Sequence, residues 1–332
     1  MFEKLKQKFR KYTVENGVLT GYVGGKNCFK VPQGVTTIGK RAFKSYYSGT
    51  MKLTKVCLPD TVVKIDDEAM LNCKIREINI PEGVTSIGNS AFAGCRLIGI
   101  DLPNSLTEIG EKAFVSCSCL KSVTVPGGVG IIKAYTFTGC GDLKHVKLCD
   151  GIKRIEESAF SGCRLMETIA LPKELEVIGR GAFAQCVNLK KIEIPVTVKK
   201  IEFAAFVECN SLEEVILPEG LEVIEQGAFM QCSKIRKIVL PTTLKKIEVG
   251  AFSECRALED VVMPEGVESI GAGAFSKCSN LKKIVLPMTL KVIENKAFEG
   301  CVALKEVIAP AEARVMTLAF ENCNIEKITP LK

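Results

Sequence analysis

Cysteine thiols are the side chains of this chain whose number and spacing could support chemistry. Sixteen of the 332 residues are cysteines, and twelve of them return at intervals of about 23 residues. These twelve are Cys73, Cys95, Cys117, Cys140, Cys163, Cys186, Cys209, Cys232, Cys255, Cys278, Cys301 and Cys323. Stacked repeats would bring such thiols to roughly 5 Å, within disulfide reach by distance alone. One inward thiol per repeat is more typical of a small buried side chain, so we expect a ladder of reduced cysteines.

Other reactive groups are scarce. His145 is the only histidine, and the sequence predicts neither a histidine-rich metal site nor a Ser-His or Cys-His dyad. Cys117 and Cys119 form a Cys-x-Cys pair, but Cys117 belongs to the ladder, which disfavours a metal site. No Gly-x-x-x-x-Gly-Lys segment followed by Ser or Thr is present to hold a phosphate. We therefore expect no catalytic residue, no cofactor and no metal, and the chain is not predicted to be an enzyme.

An Ala-Phe repeat positions these thiols. Phe43 begins the series, Met70 replaces one member, and a Cys follows most of the aromatic residues three positions later. The remaining phenylalanines are Phe92, Phe114, Phe137, Phe160, Phe183, Phe206, Phe229, Phe252, Phe275, Phe298 and Phe320. A fixed period of this length predicts a solenoid, in which each turn buries its apolar side against its neighbours.

One repeat can be followed through residues 189–209. The alternation around Ile192 and Ile194 predicts a short strand with both side chains inward. Pro195 ends that strand because it cannot donate the next ladder hydrogen bond. A second short extended segment is expected to end near Ile201, and the spacing from Phe206 onwards predicts about one turn of α- or 3₁₀-helix.

Composition excludes several classes of protein. The net charge is +7, from 45 basic and 38 acidic residues, which is too small and dispersed to indicate nucleic-acid binding. No apolar run approaches the ~18 residues of a transmembrane segment. Residues 1–11 are basic without a following apolar segment, so no secretory signal is predicted. This feature and the reduced thiols favour the cytoplasm, whereas export would place the chain at the cell surface.

The repeat resembles the BspA-like leucine-rich repeats. The pattern is Leu281-x-x-Ile284-x-Leu286-Pro287-x-x-Leu290-x-x-Ile293-x-x-x-Ala297-Phe298-x-x-Cys301, and it recurs over about residues 29–330. The resemblance implies a right-handed leucine-rich-repeat solenoid of about 13 turns. A parallel β-sheet is expected on one face, with short strands and helical or 3₁₀ turns on the other. Related proteins are often surface adhesins that engage host matrix proteins or other cells.

The two ends depart from the repeat. We predict an N-terminal cap over residues 1–30 and a single solenoid domain over residues 31–330. No polar capping unit follows Ile325, Ile328 and Leu331, which predicts either self-association through this last turn or a chain truncated relative to its parent. Adjacent tyrosines at positions 46 and 47 mark an insertion in the first repeat, for which a tolerated loop is favoured over a contact point.

Charged residues alternate in sign from repeat to repeat. One row comprises Lys191, Glu214, Lys237, Asp260, Lys283, Glu306 and Lys327, and a second comprises Lys153, Glu176, Lys199, Glu222, Lys245, Glu268 and Lys291. Duplication of an ancestral 46-residue unit would produce this pattern, and so would selection for register. We favour duplication, retained because neighbouring strands then face opposite charges.

A third position predicts a binding surface. Five β-branched residues follow one another on consecutive strands: Ile216, Val239, Val262, Val285 and Ile308. An exposed apolar strip rimmed by charge is typical of a partner site, although β-branched residues also simply suit strands. The hypothesis is that this stripe, with Lys237, Asp260, Lys283 and Glu306, binds a protein or peptide. Two roles follow from it: an adhesin, or an intracellular scaffold or inhibitor.

Overall fold

The structure is a computed structural model that describes residues 11–24, 26–43 and 52–331. The insertion with the adjacent tyrosines lies outside the described residues, as do residues 1–10 of the predicted cap. The chain divides into two compact units, residues 1–152 and residues 153–332, referred to below as the N-terminal and C-terminal units. The cap over residues 1–30 and the single domain over residues 31–330 stay predictions.

Short strands make up both units. The N-terminal unit contains β1 (Tyr12–Glu15), β2 (Val18–Tyr22), β3 (Cys28–Lys30), β4 (Thr37–Ile38), β5 (Lys55–Cys57), β6 (Lys64–Ile65), β7 (Glu77–Asn79), β8 (Ser86–Ile87), β9 (Gly99–Asp101), β10 (Glu108–Ile109), β11 (Ser122–Val125), β12 (Ile131–Ile132) and β13 (His145–Leu148). The C-terminal unit contains β14 (Arg154–Ile155), β15 (Thr168–Ala170), β16 (Val177–Ile178), β17 (Lys191–Glu193), β18 (Lys200–Ile201), β19 (Glu214–Ile216), β20 (Val223–Ile224), β21 (Lys237–Val239), β22 (Lys246–Ile247), β23 (Asp260–Val261), β24 (Ser269–Ile270), β25 (Lys283–Val285), β26 (Val292–Ile293), β27 (Glu306–Pro310), β28 (Arg314–Val315) and β29 (Lys327–Leu331).

The strands fall into two rows, because each repeat contributes one strand before its proline and a shorter one after it. In the C-terminal unit the first row runs β15, β17, β19, β21, β23 and then β25, β27, β29, and all its pairings are parallel. The second row runs β14, β16, β18 and then β20, β22, β24, β26, β28. The N-terminal unit repeats both rows, with β1 added as an antiparallel partner of β2. Equivalent residues therefore face each other at every step.

A third side of each coil carries the Ala-Phe segment, and here the structure is a series of turns. The N–H groups of Ala204, Phe206 and Glu208 donate to carbonyls of the next coil at 2.8–3.0 Å. Ala204 and Glu208 both have left-handed backbone conformations, with φ of 53° and 61°. A left-handed residue on each side of Phe206 prevents a helix from continuing. The one 3₁₀ helix within the described ranges lies elsewhere, at Gly127–Val129.

Stacked phenylalanines fill the core of each unit. Neighbouring ring centroids lie 5.2–5.6 Å apart, with interplanar angles of 4–21°. The column comprises Phe92, Phe114 and Phe137 in the N-terminal unit, and Phe160, Phe183, Phe206, Phe229, Phe252, Phe275, Phe298 and Phe320 in the C-terminal unit. Each ring contributes a large apolar area and an offset stack with its neighbours. Each coil in the column is therefore filled by a side chain of the same size.

The ladder cysteines lie beside the phenylalanines and act as hydrogen-bond donors. The Cys209 thiol donates to the Phe183 carbonyl of the preceding coil at 3.2 Å, and Cys232 donates to Phe206 at 3.1 Å. The Phe183 carbonyl also accepts the backbone N–H of Cys186 within its own coil. None of the 16 cysteines, all of which lie in the described ranges, forms a disulfide. The thiol therefore both fills a small buried space and gives a buried carbonyl a second donor.

Candidate partner-binding face

The five β-branched residues of the stripe lie on the outer surface of the first row in the C-terminal unit. Ile216 is 57% exposed, Val239 39%, Val262 73% and Val285 45%, whereas Ile308 is half-buried. On each strand the residue before the stripe position points inward and is buried. The period of two along a strand places the two side chains on opposite faces. The exposed positions thus form the solvent face of a sheet whose other face is core.

Strand register makes the stripe continuous. Ile216 pairs with Val239, Val262 pairs with Val285, and Val285 pairs with Ile308. Parallel strands lie about 4.8 Å apart, so the five side chains span about 19 Å. β-branched neighbours at this spacing contact one another and cover part of each other's apolar surface. The part that stays exposed is a narrow apolar strip.

Charge flanks the stripe in pairs. From residue 190 to residue 283, the two residues before each inward position carry the same sign within a coil, and the sign changes from one coil to the next; in the coil of Ile308 the pair is Lys305 and Glu306, of opposite sign. The pairs are Lys190 and Lys191, Glu213 and Glu214, Arg236 and Lys237, Glu259 and Asp260, and Lys282 and Lys283. All are exposed. Sequence analysis did not identify the row formed by the first member of each pair, although the sequence shows the alternation of its charges.

Salt bridges connect some of these charges across coils. Lys282 lies 2.9 Å from Glu259, and Lys283 lies 2.9 Å from Glu306. The hydrogen bond from Lys282 lowers the pKa of the Glu259 carboxyl. Exposed pairs of this kind contribute little to stability, because water and salt screen them. What these pairs do is hold opposite charges next to each other across neighbouring coils.

The middle of the stripe has charges that are not neutralised in this way. Lys237 and Asp260 face each other in register. Within the described part of the chain neither forms an ion pair. They flank Val239 and Val262, and Val262 is the most exposed member of the stripe. The centre of the face thus presents an accessible cation and an accessible anion beside apolar surface.

The side chains considered above as reactive groups have different surroundings in the described residues. Among the described residues, no group of three or more His, Cys, Asp and Glu side chains could hold a metal ion. His145 is exposed on β13. Cys117 is fully buried, and burial raises its pKa to about 12, which makes it a poor nucleophile. In the ranges that the structure covers, no helix has the length and apolar character needed to cross a membrane.

Stacked parallel strands, an internal phenylalanine column and a variable outer sheet face define a leucine-rich-repeat solenoid of about 13 turns with almost no helix. The chain belongs to the BspA type leucine rich repeat family, whose sequence pattern matches residues 36–167, 153–282 and 223–331. Proteins of this family and fold are typically non-catalytic, and the family is consistent with a protein-interaction module. A comparison with curated proteins gives no match.

Solved structures of bacterial repeat proteins are similar along most of the chain. A leucine-rich repeat protein from Bacteroides ovatus is 28% identical, with 97% of this chain and 98% of that chain covered and a TM-score of 0.59. A leucine rich cell surface protein from Faecalibacterium prausnitzii is 27% identical, with 96% and 92% covered and a TM-score of 0.61. A Eubacterium ventriosum repeat protein, at 24% identity and a TM-score of 0.51 over 78% and 88%, shows the fold alone.

Proposed function

We propose that this chain is a non-catalytic module that binds a protein or peptide partner through the stripe and its flanking charges. The observation that carries the proposal is the exposure of β-branched side chains on consecutive, register-locked strands. Apolar surface at the centre with charge around it is the usual anatomy of an interface. The same position in the N-terminal unit is mostly polar, with Asn79, Asp101, Thr124 and Lys147.

Partner capture tests the proposal directly. The variant combining Val239→Ser, Val262→Ser and Val285→Ser removes three exposed apolar side chains while leaving the inward residues unchanged. We expect it to fold like the parent and to lose proteins that the parent captures from cell lysate or matrix extract, as identified by mass spectrometry.

A matched control carries three Val→Ser changes elsewhere on the C-terminal unit, at Val196, Val249 and Val302, all of which are exposed. This control should capture the same proteins as the parent. Equal capture by the stripe variant and the parent would remove the proposal, provided that circular dichroism shows both to be folded.

Adhesion at the cell surface is the more specific role that we propose. It is supported by the similarity to the Faecalibacterium prausnitzii protein, which is described as a cell surface protein. An intracellular scaffold or inhibitor is the alternative, and sixteen cysteines without a disulfide favour it, because reducing compartments preserve thiols. Biotinylation of intact cells separates the two: an adhesin is labelled, whereas an intracellular scaffold is labelled only after lysis.

A further inference from the structure

The charged pairs beside the stripe are spaced by the strands that carry them. In the four consecutive coils of Ile216, Val239, Val262 and Val285, the pairs are acidic, basic, acidic and basic. Register-locked strands lie about 4.8 Å apart, so charges of one sign recur about every 9.6 Å. A partner that contacts all four coils must therefore present apolar groups and alternating opposite charges at the interval of the strands.

The two sides of the stripe differ in the charges that they offer. On the side of the proline turns, the carboxylates of Glu219 and Glu265 accept the backbone N–H groups of Thr242 and Met288 in the next coil, at 3.0 and 3.2 Å. On the side of the charged pairs, the residues of the two central coils are exposed. Among the described residues, Arg236, Lys237 and Asp260 form no ion pair. A partner therefore meets accessible charge along one side of the stripe.

Two kinds of peptide backbone could run along the stripe, and their repeat distances differ. On an extended strand the side chains of one face recur every two residues, about 6.6 Å apart, so four of them span about 20 Å. The four stripe residues span about 14 Å. On an α-helix, residues i, i+3, i+7 and i+10 lie on one face and span about 15 Å. Of the two backbones, the helix keeps one side chain in step with each coil.

We infer that the partner element is an amphipathic α-helix that lies along the stripe and across the strands, with basic and acidic residues alternating on one flank of its apolar face. This inference rests on the proposed function, because it specifies the partner of the same stripe. One apolar residue per helical turn contacts one stripe residue. The flanking residue of each turn is basic beside an acidic coil and acidic beside a basic coil. Apolar anchors at this spacing are a recurring mode of helix recognition.

The alternation of sign also determines the register of the helix. A helix displaced by one coil would oppose like charges at every step, which is strongly unfavourable across an interface. A displacement by two coils would restore the pairing of charges but would move half of the apolar residues off the four coils. The apolar contacts thus supply affinity, and the charges select one position along the stripe.

The test uses a synthetic peptide of two heptads, locked as a helix by a side-chain lactam on its solvent face. Leucine occupies the four apolar positions, and lysine and glutamate alternate along one flank. In fluorescence anisotropy with the full-length chain, we expect saturable binding with a Kd of about 10–100 µM. A control peptide of the same composition carries the flank order Lys, Lys, Glu, Glu. It should bind about tenfold more weakly, because part of its flank opposes like charges.

A charge exchange in the protein tests the same pairing from the other side. The variant combining Arg236→Glu and Lys237→Glu makes three consecutive coils acidic. It should bind the alternating peptide about tenfold more weakly than the parent does, and it should bind a peptide with lysine in three successive turns more tightly. The control combines Lys199→Glu with Lys200→Glu, at exposed positions around β18, and changes the net charge equally. It should bind each peptide as the parent does, and circular dichroism shows whether each variant is folded.

Three results would overturn the inference. They are no binding of the alternating peptide by the parent up to about 1 mM, equal affinity for the two charge orders, and equal affinity for a peptide in which a central proline breaks the helix. If the Val→Ser stripe variant loses its captured proteins while any of these holds, the proposed function stands and its partner has another shape. Retained capture by that variant removes the proposed function itself, so the two failures are distinguishable.

Discussion

At the scale of single residues, the choice of cysteine has a physical reason that apolar packing alone does not supply. A typical ladder thiol fills a small volume beside a phenylalanine and donates to the carbonyl of the phenylalanine one coil earlier, as Cys209 does to Phe183, whereas Cys95 donates to Met70. Alanine would fit the space but would leave that contact unmade. Serine would donate more strongly, yet it costs more to bury. Cysteine combines low polarity with a weak donor.

Replacement of one ladder thiol should therefore be measurable. We expect Cys209→Ala to lower the free energy of unfolding by about 1–2 kcal/mol, through the lost donor and the small cavity left behind. The control Cys149→Ala, at a half-buried position outside the ladder, should cost less. Chemical denaturation at pH 7 in the presence of a reductant gives both values. An effect of Cys209→Ala no larger than that of the control would contradict this account of the thiol.

The same thiols should make stability depend on pH. Burial raises the pKa of Cys209 well above its ordinary value, and burial raises the pKa of Cys73 to about 12. The folded chain thus keeps a proton that the unfolded chain loses near pH 8.5. Stability is fully present below that pH and declines as pH rises towards the folded-state pKa, by about 1.4 kcal/mol per pH unit for each such thiol.

Thermal melts between pH 7.5 and 10.5 check this expectation. The melting temperature of the parent should fall across the range, and Cys209→Ala should show a shallower slope that corresponds to about one fewer proton. Parallel slopes for the parent and the variant would mean that Cys209 titrates alike in the folded and unfolded states.

At the scale of the repeat, left-handed residues shape the turn that holds each phenylalanine. The position two residues before the phenylalanine is glycine in four neighbouring coils, at Gly181, Gly227, Gly250 and Gly273, but it is alanine at Ala204. Its φ of 53° is in the region that glycine adopts without cost, whereas alanine pays a steric penalty there. Eight other coils also have a non-glycine residue with positive φ at this position, so Ala204 is one of several strained members and its neighbours with glycine are relaxed.

Exchanging the two residue types should move stability in opposite directions. Ala204→Gly should stabilise the protein by about 0.5–1 kcal/mol, because relief of the left-handed strain exceeds the added backbone entropy of glycine. Gly227→Ala should destabilise it by about 1 kcal/mol. An added Cβ at Gly227 would meet only ordinary contacts, so strain alone sets that cost. Equilibrium unfolding of both variants checks the pair, and destabilisation by Ala204→Gly would contradict it.

At the scale of the whole molecule, the sequence allowed the regular features to be predicted and left the irregular ones hidden. The 23-residue period predicts stacked parallel strands, and the alternation around Ile192 predicts which side chains point inward. The turn at Phe206 could not be read in the same way. Spacing suggests a helical turn there, and the left-handed conformations of Ala204 and Glu208 depend on bonds to the next coil.

The same distinction between regular and irregular features applies to residues on the outer sheet faces. The stripe follows from strand period and repeat register, so its five members could be predicted. The pairing of Cys28 with Lys55 and of Lys30 with Cys57 could not, because it depends on how β3 and β5 align across the irregular first repeat. A period cannot place residues in the one repeat that departs from it.

The most direct measurement of the proposed recognition face is site-specific photocrosslinking. A photoreactive benzoylphenylalanine placed at position 262, at the exposed centre of the stripe, should crosslink to the captured partner on irradiation, whereas the same residue at position 302 should not. Peptide mapping of the crosslink then identifies the partner surface. Crosslinking from position 302 and none from position 262 would contradict the assignment of the stripe as the binding face.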